Sequence, residues 1–497
     1  MKLKEVFAGA EIRGIGGPAE IEIRAIAYDS RKAAAGCLFF AFRGEKLDGN
    51  AFVPDALQRG AIAVASESPR GAAAPANIAW IELPPGSERR GLAQASANFL
   101  GHPADALRLV GVTGTNGKTT TAYLIDSILR AAGHVTGLLG TIAYRTPKGA
   151  RVAKNTTPES LDLQTALAEV RDAGGTTAVF EASSHALAMD RLWGCRLAAA
   201  VFTNLTRDHM DYHKNFEDYF AAKRRLFEGT GADAPAVGVV NADDPYGRQL
   251  AGLAGRTLTY GLGSDAQLTT KKFELSFTGL EFTAQTPAGR IEVASPLVGR
   301  INVYNILAAI GAALALDVPR EAIEAGIRQL ENVPGRFQRI DEGQPFLVVV
   351  DYAHTDDALR NLITTARELN PKGRILTLFG AGGDRDRTKR PLMGEAAGSL
   401  SDLVVLTSDN PRSEDPLRII NDVVVGLQKT RVEYRVEADR ERALELVLGE
   451  ARPGDIVLLA GKGHENYQIL RDRTLDFDDR EMARRFLRAR GYGKAMG

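Results

Sequence analysis

The chain has 497 residues, too many for one hydrophobic core, and at about 150 residues per unit it divides into about three domains. Its composition, 44% hydrophobic and 25% charged, is that of an ordinary globular protein. Lys plus Arg and Asp plus Glu number 62 each, which excludes a global field aimed at nucleic acid or an acidic membrane, so an anionic substrate must be held by local groups.

In chain order, Met1 to Gly9 contain no uninterrupted apolar run, and no later stretch approaches the about 18 apolar residues of a membrane span. Only Cys37 and Cys195 occur, far apart and without metal-ligand spacing, which argues against a disulfide framework or a zinc site. A soluble, unprocessed, cytoplasmic monomer is expected, without membrane insertion and with no nucleic-acid partner. Residues 1–107 read as a small α/β module. Its strands are predicted at 21–27, 37–42, 61–65 and 78–83, its one clear helix at 53–58, and a surface loop at 70–75.

At Leu109 an apolar strand runs into Gly114-Thr-Asn-Gly-Lys-Thr119, and a helix is predicted from Thr120 to Ala132, with Gly133 as its stop. This order of elements builds a triphosphate site. Gly114 and Gly117 let backbone N–H groups of the loop, Thr115, Asn116 and Thr120 included, close on phosphate oxygens. Lys118 reaches the terminal phosphates, and the Thr119 hydroxyl can ligate Mg²⁺. Val112 stands where the usual pattern has its first glycine, so the loop is a shortened variant. An ATP or GTP site is expected.

The domain at 108–334 reads as a P-loop unit with a mainly parallel sheet, its strands at 177–180, 199–203 and 236–241. Residues 264–294 alternate like antiparallel strands. Glu181 follows an apolar strand, where parallel sheets place functional groups. Lys223 lies in a helix-patterned segment, residues 218–227, and on charge alone reads as a surface lysine. Asn302 and Asn305 read as possible caps of a helix ending at Ala315. Turn signals in Asn332-Val-Pro-Gly-Arg336 mark the next boundary. Residues 335–497 form a Rossmann-like α/β domain with strands at 346–351, 375–379, 403–407 and 456–460. Asp409-Asn-Pro-Arg412 follows the third of these as a turn.

Gly114-Thr-Asn-Gly-Lys-Thr119, Glu181-Ala-Ser-Ser-His185, Asn204-Leu-Thr-Arg-Asp-His209, Ala222-Lys223, Asn302-Val-Tyr-Asn305, Asp351-Tyr-Ala-His354 and Gly461-Lys-Gly-His-Glu465 together resemble the Mur ligase family. Five of the seven histidines, His185, His209, His213, His354 and His464, fall in these segments. The resemblance is sharpest to members that add the third residue to UDP-N-acetylmuramoyl-dipeptide. It implies an ATP-dependent amide ligase working through an acyl phosphate, formed when the D-glutamate side-chain carboxylate attacks the γ-phosphate.

By the same resemblance, Thr119 and Glu181 bind Mg²⁺, and His209 ligates a second Mg²⁺ with Lys223 carboxylated by CO₂. Lys118, Glu181, His209 and Lys223 are then the catalytic set. Asn302, Arg336 and His354 complete the ATP site. Ser30, Asp48, Thr156, Thr157, Ser183 and Arg191 grip the UDP-sugar dipeptide, while Met189 replaces a more common Gln and Glu45-Lys46 a more familiar His-containing pair. Arg385, Asp409, Asn410, Pro411, Arg412, Gly461 and Glu465 bind the amino acid, which Asp-Asn-Pro-Arg implies is meso-diaminopimelate. A guanidinium suits the distal carboxylate of diaminopimelate and repels the distal ammonium of lysine. The alternatives are the lysine-adding ligase, a folylpolyglutamate synthase-like ligase, and a nucleotide-gated switch protein.

Overall fold

The computed structural model describes residues 1–44, 47–71, 75–263 and 265–493. It is α/β throughout, with several sheets rich in parallel pairs, as expected. The N-terminal sheet runs in the order Gly14–Gly16, Ala79–Glu82, Ala61–Ser66, Cys37–Phe40, Ala25–Ala27, parallel except at the Gly14–Gly16 edge. The strand expected at 21–27 is cut to Ala25–Ala27, because Glu22 makes only an isolated bridge to Lys2.

The helix Glu88–Phe99 was not predicted. Its buried face is built largely from Gly91, Ala93, Ala95 and Ser96, small residues that give a weak periodic signal although they pack tightly.

The central sheet has eight strands. Five parallel pairs join, in order, Arg256–Tyr260, Val237–Asn241, Leu197–Phe202, Arg108–Thr113, Thr177–Glu181 and Thr136–Leu139. A hairpin, Ala143–Thr146 and Gly149–Val152, extends one edge antiparallel. The helices Lys118–Ala131 and Arg300–Ala315 cover one face, burying Leu124, Ile125, Ile128, Val303, Ile306 and Ile310 against strand residues such as Val110 and Val201. Phe273–Ser276, Gly279–Thr286 and Gly289–Ser295 form the antiparallel sheet that their alternation predicts.

The C-terminal sheet runs Gln338–Ile340, Leu347–Asp351, Ile456–Ala460, Ile375–Phe379, Leu403–Leu406, Glu433–Val436 and is parallel after its first strand. Among the described residues no helix is long and apolar enough to cross a membrane.

Candidate functional site

The parallel strands of the central sheet deliver their C-terminal ends to one place. Arg108–Thr113 ends in the glycine-rich loop, Thr177–Glu181 ends in Glu181, and Leu197–Phe202 leads to the segment holding Asp208 and His209. The helix after the loop starts at Lys118, two residues ahead of the expected start. Both loop glycines are required by geometry. At Gly114 (φ +146°) a Cβ would lie 1.9 Å from Thr203 Oγ1, and at Gly117 (φ +85°) it would lie 2.4 Å from Asn305 Oδ1. The loop is latched from behind, since Asn116 N donates to Asn204 Oδ1 at 2.9 Å and Thr203 Oγ1 donates to Asn116 O at 2.6 Å.

Lys118 Nζ donates to Gly114 O and Thr115 O, each at 3.0 Å, and burial pushes its ammonium below the ordinary lysine value. Thr119 Oγ1 donates to Glu181 Oε2 at 3.0 Å, and Thr141 donates to both Glu181 oxygens from its N (2.8 Å) and its hydroxyl (3.0 Å). A buried hydroxyl and carboxylate in contact are hard oxygen donors, so Thr119 and Glu181 fit Mg²⁺. Among the described residues no three His, Cys, Asp or Glu side chains form a ready metal cage.

Lys223 corrects the reading of it as a surface lysine. The helix Phe216–Glu228 turns Tyr219, Phe220, Leu226 and Phe227 inward, and Lys223 shares that face at 1% exposure. Its Nζ donates to Gly114 O at 2.8 Å, the carbonyl that Lys118 also uses, and sits 4.4 Å from the centre of the Tyr219 ring. Burial first, and Lys118 second, push its pKa well below the ordinary lysine value.

His209 has φ +57°, and its ring meets His185 edge-on at 4.8 Å between centroids. Burial lowers its pKa, with Asp208 opposing. Asp208 lies 3.5 Å from His209 Nε2, 3.8 Å from Lys389 Nζ and 4.0 Å from His354 Nε2. Burial works against its charge, but these three groups hold the carboxyl below its usual range.

A cavity of about 240 Å³ extends from the loop to an apolar end at Leu297, Val298, Ile301 and Leu362. It is lined by Thr115, Asn116, Gly117, Lys118, Thr119, Thr120, Thr156, Glu181, His209, Asn302, Asn305, Arg336 and His354. Gly299 caps the helix Arg300–Ala315, so neither Asn302 nor Asn305 is the cap. Instead Asn302 Nδ2 donates to Val298 O at 2.7 Å and Asn305 Nδ2 to Asn302 Oδ1 at 2.9 Å, bracing the cavity wall.

From this cavity a chain of contacts leads into the C-terminal unit. Arg336 Nη2 donates to Thr119 Oγ1 at 3.3 Å, and its guanidinium stacks 4.5 Å over Tyr352. The Tyr352 hydroxyl in turn donates to Glu465 Oε1 at 3.5 Å. There Asn410 Nδ2 donates to Glu465 Oε2 at 2.9 Å, and Gly461 (φ +106°) passes so close that a Cβ would lie 2.9 Å from Asp409 Oδ2. Pro411 precedes Arg412, which has φ +52° and donates to Gly383 O at 2.7 Å. Burial and the neighbouring Arg385 both disfavour the Arg412 charge.

The remaining expected residues gather elsewhere. Thr157 Oγ1 donates to Glu181 O at 2.6 Å and lies 3.2 Å from Ser183 Oγ, and Arg191 Nη1 donates to Thr157 O at 2.9 Å. Arg191 also pairs with Glu159 at 3.2 Å, and Met189 Sδ lies 3.7 Å from its Nη2. Ser30 and Asp48 stand on the N-terminal unit and do not line the cavity. Tyr28 hydrogen-bonds to Asp162 and Arg89 pairs with Glu159 at 2.8 Å, and these contacts fix that unit to the central one. Glu45 and Lys46 lie outside the described residues.

Comparison with known proteins agrees with this geometry. The Mur ligase middle domain matches residues 112–313, the Mur ligase glutamate ligase domain matches 335–463, and the Mur ligase family catalytic domain matches 22–101. A relative from Solibacter usitatus, named UDP-N-acetylmuramoyl-L-alanyl-D-glutamate--2,6-diaminopimelate ligase, is 54% identical over 99% of both chains.

The chain belongs to the Mur ligase family.

A Geobacter metallireducens protein of the same name is 43% identical over 99% of this chain and 100% of its own. A solved structure of a ligase of that name superimposes with a TM-score of 0.66 at 35% identity, covering 99% of both chains. As a Mur ligase the protein is an ATP-dependent ligase. Three groups at the heart of this Mur ligase site were not singled out from sequence. Asp208 falls inside a motif that assigns it no role of its own. Lys389 and Asp357, which accepts from Asn116 Nδ2 at 2.8 Å, come from helices that gave no chemical signal.

Proposed function

We propose that the protein joins meso-diaminopimelate to UDP-N-acetylmuramoyl-L-alanyl-D-glutamate in peptidoglycan synthesis. A D-glutamate side-chain carboxylate oxygen bonds to the γ-phosphorus of ATP while the bond to ADP breaks, leaving an acyl phosphate. The amine of diaminopimelate then bonds to the acyl carbon, loses a proton and expels phosphate. The loop amides from Gly114 to Thr120 cradle the phosphates and Lys118 reaches their terminal oxygens. Asn302, Arg336 and His354 hold the rest of ATP.

Thr119 and Glu181 would hold one Mg²⁺, and His209 with carboxylated Lys223 a second. The bound ions would neutralise phosphate charge as the two anions approach. Full turnover by Lys223→Ala would remove Lys223 from this scheme. Ser30, Asp48, Thr156, Thr157, Ser183 and Arg191 hold the UDP-sugar dipeptide. Arg385, Asp409, Asn410, Pro411, Arg412, Gly461 and Glu465 hold the diaminopimelate. The enzyme works as a cytoplasmic monomer, where its nucleotide substrates are found.

The observation that supports the reading is the contact chain from Thr119 through Arg336 and Tyr352 to Glu465, which joins the glycine-rich loop to the cluster of Asp409, Asn410 and Glu465. Phosphate release should require ATP, Mg²⁺, the UDP-dipeptide and diaminopimelate together. Preference for L-lysine would overturn the amino-acid assignment, and no release with either amino acid would overturn the ligase reading.

A further inference from the structure

One lysine gathers the acidic and amide side chains at the end of the C-terminal sheet. Lys462 is fully buried, and its Nζ donates to Tyr467 O at 2.8 Å, Asn410 Oδ1 at 3.1 Å and Asp409 Oδ1 at 3.3 Å, with Glu465 Oε2 at 3.5 Å. Asn410 closes the cluster by donating to Glu465 and by accepting from Ile469 N at 2.9 Å. Beneath it lies Arg440, also fully buried. It forms a two-pronged pair with Asp479 (2.6 and 2.8 Å) and donates to Ser408 O and Ala460 O, the residues just before Asp409 and Gly461.

Charge can be counted in this enclosed space. Arg440 and Asp479 cancel. One ammonium, Lys462, then faces two carboxylates, Asp409 and Glu465, which leaves one negative charge. Beside it Arg412 and Arg385 donate to the backbone carbonyls of Gly383 and Asp384. A substrate end bearing one ammonium and one carboxylate matches that pattern. Two uncancelled carboxylates would instead favour a substrate with only a distal ammonium.

We infer that Lys462 is a positioning and specificity-determining residue. Its ammonium locks Asp409, Asn410 and Glu465 into one cluster and removes one of two negative charges, so that the pocket selects a distal zwitterion over a lone ammonium. The inference rests on the diaminopimelate reading above.

Diaminopimelate-dependent phosphate release by the unaltered protein is the reference, and its absence would overturn that reading together with this inference. Given that release, Lys462→Met should raise the KM for diaminopimelate about tenfold or more, the scale of losing a charged hydrogen-bond partner. The KM values for ATP and the UDP-dipeptide should stay put, and the ratio of diaminopimelate to lysine use should fall. The double variant Asp409→Asn/Lys462→Met restores a single surplus carboxylate and should recover most of the diaminopimelate affinity. Equal rises in all three KM values, no change in the diaminopimelate KM, or a double variant no better than the single would overturn the inference. Failure of both variants to fold would do so too, by assigning Lys462 to architecture alone.

Discussion

His464 shows how much of this site depends on enclosure. Its ring packs 5.0 Å from Tyr352, its Nδ1 has no hydrogen-bond partner among the described residues, and burial, with Arg336 and Arg480 nearby, pushes the imidazole down to about 3. The folded pKa is depressed below the unfolded one, near 6.5. Below that unfolded value only the unfolded chain takes the proton, so stability is lost on acidification until the folded value is reached. His464→Phe keeps an aromatic ring and removes the titration. The melting-temperature advantage of the unaltered protein over the variant should therefore shrink between about pH 7.5 and about pH 5.5. A constant difference would show that His464 is not held neutral. Sequence placed His464 in its motif but gave no hint of this environment. For Lys223 it pointed outward, because a charged helix face and a buried lysine look alike until the partner surface is known.

The phosphate loop was the most legible element, since the strand, turn and helix order fixes its geometry with little help from elsewhere. What the sequence left open was why each glycine is needed, which depends on Thr203 and Asn305 far along the chain. Gly117→Ala should expose that dependence. A left-handed backbone costs a non-glycine residue about 1–2 kcal/mol, and the new methyl would strike Asn305 Oδ1 as well. ATP affinity should fall by about tenfold or more by titration calorimetry, while the UDP-dipeptide still binds. Undiminished ATP affinity would mean that the loop relaxes freely. The parallel strands were legible for the same local reason, as continuous apolar runs, whereas the Glu88–Phe99 helix hid behind its small residues.

Across the whole molecule, the glycine-rich loop lies at a seam. The central unit supplies the loop, Glu181 and Asp208, and the C-terminal unit answers with Arg336, His354, Asp357 and Lys389. Arg207 Nη2 donates to Thr388 Oγ1 at 2.7 Å, Asn116 reaches Asp357, and Asp208 faces Lys389 at 3.8 Å. Contacts of this kind join residues some 180 positions or more apart, so no local pattern could reveal them, although the separate motifs were visible. On the proposed mechanism these contacts also have a task beyond cohesion, since an acyl phosphate is hydrolysable and a closed seam would exclude water. Lys389 is the cleanest point at which to loosen the seam, being nearly buried at 9% exposure and outside the phosphate loop. Lys389→Met keeps most of the length of the side chain but leaves Asp208 without that cation. It should lower the coupled rate about thirtyfold or more, as expected for truncating one partner of an enclosed charge pair at a cost of about 2 kcal/mol or more. Phosphate release in the absence of amino acid should rise relative to amide formation, because water gains entry. A variant that loses rate without any such leak would separate the pair's effect on chemistry from the closing of the seam.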